Sequence, residues 1–170
     1  MIRQLLLVMI ILLSSFNLYG QNKLLEILPL DNGTVTYSEI VQAPGIDKDK
    51  LYFLAKKCFV NDYKSAKDVI QLDDPENGEI IGKGNFSILY FVRDPLISHT
   101  ISIKVKDGRY KYSISNLSYS DVQGSSFTIE NFPKHWAARK KLYRKVHMRI
   151  SMTIISLKES MKINPEEDDW

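Results

Sequence analysis

Residues 134–164 read KHWAARKKLYRKVHMRISMTIISLKESMKIN, and the rest of the chain must supply the surface that this stretch covers. The stretch contains neither glycine nor proline, so nothing in it forces a break in a helix. Side chains suited to a core recur every three or four residues, which is the spacing of one helical face: Leu142, Val146, Ile150, Thr153, Ile154, Leu157 and Met161. The sequence therefore predicts one amphipathic helix about 45 Å long, enough to cross a small sheet.

A basic cluster lies opposite this core face at about 100° per residue. It consists of Lys140, Lys141, Arg144 and Lys145. One interpretation is a solvated back face. The other is a docking site for an anionic surface, such as lipid headgroups, lipopolysaccharide phosphate or an acidic partner.

An apolar stripe follows on the same outer side of the helix. Met148, Met152 and Ile155 are spaced i, i+4 and i+7, where an ordinary surface helix is polar. Three explanations are open: the arm Leu24–Leu30 folds over the stripe, a partner or second copy covers it, or it is scattered exposed apolar surface. The four basic and three apolar residues together form the candidate interaction surface.

Charge is divided unevenly along the chain. The sequence has 23 basic and 20 acidic residues, a net charge of +3 that indicates no nucleic-acid partner. Within 134–164, nine basic residues oppose only Glu159, a net +8. Removal of Arg3 with a signal peptide leaves 13 basic and 19 acidic residues elsewhere, a net −6. The sequence predicts an electrically two-ended molecule.

The first 20 residues, MIRQLLLVMIILLSSFNLYG, have the order of a secretory signal peptide. Arg3 precedes the apolar run Leu5–Leu13, which is shorter than the roughly 20 residues of a membrane span. We expect cleavage after Gly20 and a periplasmic or extracellular location; an uncleaved anchor is the alternative. The predicted domains are a signal peptide (1–20), an N-terminal arm or linker (21–33), a single domain (34–164) and an acidic tail (165–170).

Cys58 is the only cysteine, so an exported chain would have no intramolecular disulfide. It shares one helical face with Leu51, Leu54, Ala55 and Phe59, which indicates a buried small hydrophobic residue and not a reactive thiol.

The segments between the arm and the long helix predict one helix and several strands. Residues 34–42 favour a strand, and Asp47 is a candidate N-cap for a helix over 48–63. Further strands are expected at 67–72 and 80–92, separated by a turn at 73–79. The Asp107-Gly108 pair predicts a hairpin between 98–106 and 109–119, with a bulge near Asn116 where the alternation changes phase. Phe127–Pro133 suggests a short edge segment.

The hairpin alternates apolar and polar residues, which is typical of an antiparallel sheet with one face open to water. Both helices must then cover the other face. The sequence predicts an α+β two-layer sandwich with the order strand, helix, four strands, helix.

Three segments resemble a family of exported Bacteroidetes proteins. They are TYSEIVQAPGIDKDKLYFLAKKCF (36–59), SAKDVIQLDDPENGEIIGKGNF (65–86) and ISIKVKDGRYKYSISNL (101–117). The family is a domain of unknown function with a TBP-like fold, and the similarity runs from about Thr34 to Tyr119. The resemblance implies the same strand and helix order and both helices on one face. It implies no activity, no catalytic residue and no DNA binding.

Short motifs point to no chemistry. Gly82-Lys83-Gly84 lacks the third glycine of a dinucleotide fingerprint, and indicates a close backbone approach within a strand. The acidic cluster Asp73, Asp74, Glu76 and Glu79 indicates a solvated turn in preference to a calcium site, because its spacing is not that of an EF-hand. The three histidines are scattered. We expect no catalytic residue, metal ligand or cofactor.

The sequence thus favours an exported, non-enzymatic binding module of the bacterial cell envelope. Its partner would be an unknown protein or an anionic envelope surface, with a homo-oligomer through the C-terminal helix as a further possibility. The polar sheet face is a second candidate surface: Thr100, Ser102, Lys104, Lys111 and Ser113. Two alternatives are a small envelope enzyme with a site assembled across the sheet, and a membrane-surface protein that uses the basic helix.

Overall fold

The computed structural model describes residues 27–62, 69–89, 94–132 and 136–162. The predicted signal peptide, the first part of the arm (21–26) and the acidic tail lie outside the described residues.

The described chain contains eight strands, two helices and one 3-10 turn. The strands are β1 (Leu30–Asp31), β2 (Thr34–Val35), β3 (Tyr37–Gln42), β4 (Ile70–Asp74), β5 (Glu79–Ser87), β6 (Leu96–Lys106), β7 (Arg109–Ser120) and β8 (Ser126–Thr128). The helices are α1 (Lys48–Asp62) and α2 (Trp136–Ser160), and the 3-10 turn is Ile129–Asn131. This order confirms the predicted fold class.

Six of the strands form one antiparallel sheet in the order β3-β7-β6-β5-β4, with β8 paired to the far end of β7. The Asp107-Gly108 hairpin joins β6 to β7 as predicted. The first strand, β3, pairs with the last long strand, β7, from Tyr37 opposite Ile114 to Gln42 opposite Arg109. The sheet is therefore open, with β3 at one edge and β4 at the other, while β1 and β2 form a separate two-stranded ribbon.

Both helices cover the same face of the sheet. Inward-facing side chains alternate along the central strands and are nearly inaccessible to water: Ile97, Ile101, Ile103, Val105, Tyr110, Tyr112 and Ile114. They meet Leu51, Leu54 and Phe59 of α1 and the predicted core face of α2, where Leu142, Val146, Ile150, Leu157 and Met161 are buried. Burying each large apolar side chain contributes on the order of 1.5–3 kcal/mol, an upper estimate.

Helix α1 begins where the sequence predicts. The Asp47 carboxylate accepts a hydrogen bond from the Lys50 backbone N–H at 2.7 Å, which caps the first turn. Cys58 is buried, as expected. Further along, the Phe59 ring lies directly over Gly82 of β5, where an added Cβ would overlap the ring. This close approach confirms the interpretation of the Gly82-Lys83-Gly84 sequence.

The predicted bulge is present in β7. Ser98 pairs with Ser118 and Thr100 with Ser115, so β7 holds one more residue than β6 between these pairs. Asn116 takes up the difference with a φ of 55°, a left-handed conformation that asparagine tolerates better than most residues. Because of the bulge, Leu117 and Tyr119 face the core in phase with Ile114.

Several predicted boundaries are wrong. The strand expected at 67–72 starts at Ile70 and continues to Asp74, because Asp73 and Asp74 pair with Ile80 and Glu79. The strand expected at 80–92 ends at Ser87, and Leu89, which lies beyond this end, is 67% exposed. Residues 34–42 form two strands, because the Thr36 N–H turns to the Pro29 carbonyl. Residues 90–92 lie outside the described residues.

Candidate binding surface on the long helix

Helix α2 is fixed in its rotation by contacts along its length. The Tyr143 hydroxyl, which is buried, donates a hydrogen bond to the Ile129 carbonyl at 2.8 Å. The His147 imidazole shares a 3.0 Å hydrogen bond with the Tyr37 hydroxyl on β3. These contacts, together with the buried core face, determine which side chains of α2 point to solvent.

The C-terminal contact is an ion pair on the edge strand. Lys158 Nζ lies 2.7 Å from the Glu39 carboxylate, which also accepts a hydrogen bond from the Tyr112 hydroxyl at 2.9 Å. These hydrogen bonds, that of Lys158 first, hold the pKa of Glu39 below its usual range. The pair is largely exposed, so it contributes little to stability and serves mainly to position α2 on β3.

The apolar stripe of α2 is open to solvent. Met148 is 58% exposed, Met152 52% and Ile155 62%. The described part of the arm does not cover it: Leu28 is buried in the core, and β1 and β2 form their own ribbon. For residues 27–30 the explanation that the arm covers the stripe is therefore wrong, while 24–26 lie outside the described residues.

The basic cluster occupies the N-terminal half of the same outer face. Lys141 and Arg144 are exposed, and Lys140 and Lys145 are half-buried. At about 100° per residue, the cluster and the stripe together span a sector of about 140°, directly opposite the core face. The candidate interaction surface is thus continuous: basic over its first two turns and apolar over its next two, about 22 Å in length.

The open sheet face is chemically different. Thr100, Ser102 and Ser113 are half-buried there, while Lys104 and Lys111 are exposed. Lys104 pairs with Glu79 at 3.1 Å, and the Ser102 hydroxyl donates to the same carboxylate at 3.3 Å. The sheet face therefore carries both signs of charge. The outer face of α2 differs, because the only acidic residue of α2, Glu159, lies past the apolar stripe and forms an ion pair with Lys162.

A pocket opens beside the apolar stripe, between α2 and the sheet. Its volume is about 240 Å³, and it is lined by Asn85, Phe86, His99, Arg149, Met152, Thr153 and Ser156. His99 is buried on the core face of β6, and burial lowers the pKa of its imidazole to about 4. The sequence reasoning treated His99 as one of three scattered histidines and missed this pocket. The signal was available, because His99 continues the Ile101–Ile103–Val105 alternation.

The acidic residues expected in a turn are distributed between strands. Asp73 accepts hydrogen bonds from Tyr52 and Lys56 of α1. These hydrogen bonds, chiefly the one from Lys56, lower the pKa of the Asp73 carboxyl. Asp74 binds Asn77 within the turn, and Glu79 faces Lys104. Across the described residues, no group of three or more histidine, cysteine or acidic side chains is placed to hold a metal ion.

Of the helices in the described part of the chain, neither is long and apolar enough to span a membrane. Of the histidines, His99 lines the pocket and His147 shares a hydrogen bond with Tyr37, while His135 lies outside the described residues.

An antiparallel sheet with two helices on one face, in this strand order, defines the class of TBP-like α+β domains. Residues 37–120 match the family model described as "Domain of unknown function (DUF4468) with TBP-like fold". The chain therefore carries a domain of the DUF4468 family, in agreement with the resemblance seen in its sequence.

Solved structures show the same fold. The crystal structure of a DUF4468 family protein from Bacteroides ovatus superposes with a TM-score of 0.70 at 17% identity, over 81% of this chain and 92% of that chain. A TBP-like protein from Parabacteroides distasonis gives 0.69 at 14% identity, over 79% of this chain and 97% of that one. A search of curated proteins found no match. These similarities establish the fold and carry no function.

Proposed function

We propose that this protein is an exported, non-enzymatic binding module of the bacterial cell envelope, and that the outer face of α2 is its contact surface. One observation carries the proposal: three large apolar side chains, Met148, Met152 and Ile155, lie 52–62% exposed in one row on the outer face of α2. Contact of these apolar side chains with water is unfavourable, and burial against a partner would remove that free-energy cost.

The chemistry of this surface selects an anionic, partly apolar partner. The basic cluster supplies long-range attraction and the apolar stripe supplies burial, which is the combination found in helices that lie on anionic membranes. We therefore propose the anionic lipid headgroups of the envelope as the partner. The signal peptide that the sequence predicts at residues 1–20 supports this proposal, because export would bring the mature chain to the envelope, where such headgroups are met.

A second copy of the chain fits this surface less well. A two-fold dimer places the same patch on both sides of the interface, so basic clusters would face a surface with no acidic complement. Helix α2 holds seven basic residues and only Glu159 as an acid. An acidic protein partner also has a complementary charge, and vesicle binding distinguishes it from a lipid partner.

The test compares binding of the protein to vesicles of anionic phospholipid and of purely zwitterionic phospholipid, by cosedimentation at low and high salt. We expect salt-sensitive binding to the anionic vesicles only. Replacing Lys140, Lys141, Arg144 and Lys145 with glutamine removes about 1 kcal/mol per basic residue near the surface, so binding should fall at least tenfold.

The matched control removes four basic residues from the opposite side of the molecule. Lys83, Lys106, Arg109 and Lys111 are exposed on strands of the open sheet face, and their replacement by glutamine makes the same change in net charge. This variant should bind like the unaltered protein. Loss of binding in the sheet variant with retention in the α2 variant would move the contact surface to the sheet. Absence of salt-sensitive vesicle binding would contradict the lipid proposal and leave an acidic protein as the partner to test.

A further inference from the structure

The pocket between α2 and the sheet is built from two regular elements. Arg149, Met152, Thr153 and Ser156 are spaced i, i+3, i+4 and i+7, so they form one row on the flank of α2 between its core face and its outer face. Phe86 of β5 and His99 of β6 close the pocket from the sheet side. The pocket therefore lies between a helix and a sheet that are both packed into the core, and not in a loop.

Arg149 is held over the pocket by an aromatic ring. The guanidinium carbon lies 5.9 Å from the centroid of the Phe86 ring, within the range of a cation–π contact. The Arg149 side chain is exposed, so its planar fork of N–H donors remains accessible to a ligand. Such a fork matches a carboxylate with two parallel hydrogen bonds.

His99 adds polarity to the pocket without adding charge. Its ring is 3% exposed and lies 5.5 Å from the Phe86 ring. A buried neutral imidazole offers one nitrogen as a donor and the other as an acceptor. Gly84, directly opposite His99 in the register, places no side chain in this corner of the core. None of the described residues that line the pocket is acidic.

We infer that this pocket binds a small organic carboxylate with an apolar body, its carboxylate paired with the Arg149 guanidinium and its body lying against Phe86 and Met152. The size agrees with this class of ligand: the pocket measures about 240 Å³, and an enclosed apolar cavity of ~150 Å³ holds benzene. The lining supplies one cation, several polar groups and two apolar surfaces, which together recognise an aryl or short alkyl carboxylate.

This inference is independent of membrane binding. The charged residue of the pocket, Arg149, lies on the flank of α2 and not within the basic cluster. The expected ligand is a small soluble molecule. The two proposals meet only at Met152, which belongs both to the apolar stripe and to the pocket.

The experiment titrates ¹⁵N-labelled protein with sodium benzoate and phenylacetate, and follows the backbone amide signals by NMR. We expect saturable shifts centred on Phe86, His99, Arg149 and Met152. Benzamide, which has the same shape without the charge, should bind at least tenfold more weakly, since it lacks the negative charge that strengthens the hydrogen bonds to Arg149. Inorganic phosphate, an anion without an apolar body, should also bind more weakly.

Two arginine variants on the same helix supply the matched comparison. Arg149→Met keeps the length of the side chain and removes its charge, so benzoate affinity should fall at least tenfold. Arg144→Met makes the same change within the basic cluster, so benzoate affinity should be unchanged while vesicle binding weakens. Both positions are exposed, so both variants should fold, which circular dichroism checks.

The inference would be overturned by equal affinity for benzamide and benzoate, by full benzoate affinity in Arg149→Met, or by shifts that map away from the pocket. The absence of saturable binding by either carboxylate at about 10 mM would also overturn it, because a ligand that weak gains less than about 3 kcal/mol. Vesicle binding retained in Arg149→Met alongside loss of benzoate binding would show the two surfaces to be separate.

Discussion

The imidazole of His99 is the one polar side chain among the described residues that is buried in the core. Burial favours its neutral form and lowers its pKa from 6.5 to about 4. In the unfolded chain the same group takes up a proton near its ordinary pKa of about 6.5. Between these two values the unfolded state binds more protons than the folded state.

Stability should therefore fall as the pH is lowered from about 6.5 towards 4. From His99 alone, the free energy of unfolding at pH 5 should be about 2 kcal/mol below its value at pH 7.5. His99→Gln removes this titratable group. The difference in the free energy of unfolding between the variant and the unaltered protein should therefore change by about 2 kcal/mol between pH 5 and pH 7.5. Urea unfolding at both pH values measures it. An unchanged difference would mean that His99 is protonated equally in both states.

Single residues differ in how far the sequence predicts them. The burial of Cys58 follows from its helical face, and the Asp47 cap follows from its position before α1. The hydrogen bond of the Tyr143 hydroxyl does not follow, because its acceptor is the Ile129 carbonyl of a 3-10 turn that the sequence leaves unmarked. Arg149 gives no local signal of a pocket either, since its neighbour Phe86 is 63 positions away in the chain and is brought near only by folding.

At the level of elements, the β7 bulge keeps both ends of a long strand facing the core. Without the extra residue at Asn116, either Ile114 or Leu117 would point to solvent, because a shift of one residue turns a strand over. The left-handed φ of 55° at Asn116 is the local requirement for the bulge.

Asn116→Val should destabilise the protein by about 1–2 kcal/mol, since a β-branched residue pays the full penalty of the left-handed conformation. Asn116→Gly should be nearly neutral. Ser113→Val, at an extended position of the same strand, is the matched control, and it should leave the stability of the protein unchanged or raise it slightly. Urea midpoints report all three. Equal effects of valine at positions 113 and 116 would contradict the assigned bulge.

The bulge and the α2 faces were predictable because each leaves a periodic trace along the sequence. The end of β5 was not. Ile88 and Leu89 continue an apolar run, yet the strand stops at Ser87 because β6 begins at Leu96, opposite it. Cross-strand partners, which lie far apart in sequence, set such limits.

The whole molecule combines a two-layer domain with an asymmetric charge distribution. The sheet, α1 and the inner face of α2 form the core, while the outer face of α2 is basic and apolar. The Lys158–Glu39 and His147–Tyr37 contacts hold that face away from the sheet. The central claim is that this face, and not the open sheet face, meets the envelope.

Site-directed spin labelling tests this claim most directly, in a Cys58→Ala background that leaves one attachment site. Ile155→Cys places the label in the apolar stripe, and Ile40→Cys places it on the open sheet face; the two isoleucines are 62% and 58% exposed. With anionic vesicles present, the label at position 155 should lose mobility and gain accessibility to oxygen, while the label at position 40 stays unchanged. A response at position 40 with none at position 155 would contradict the account.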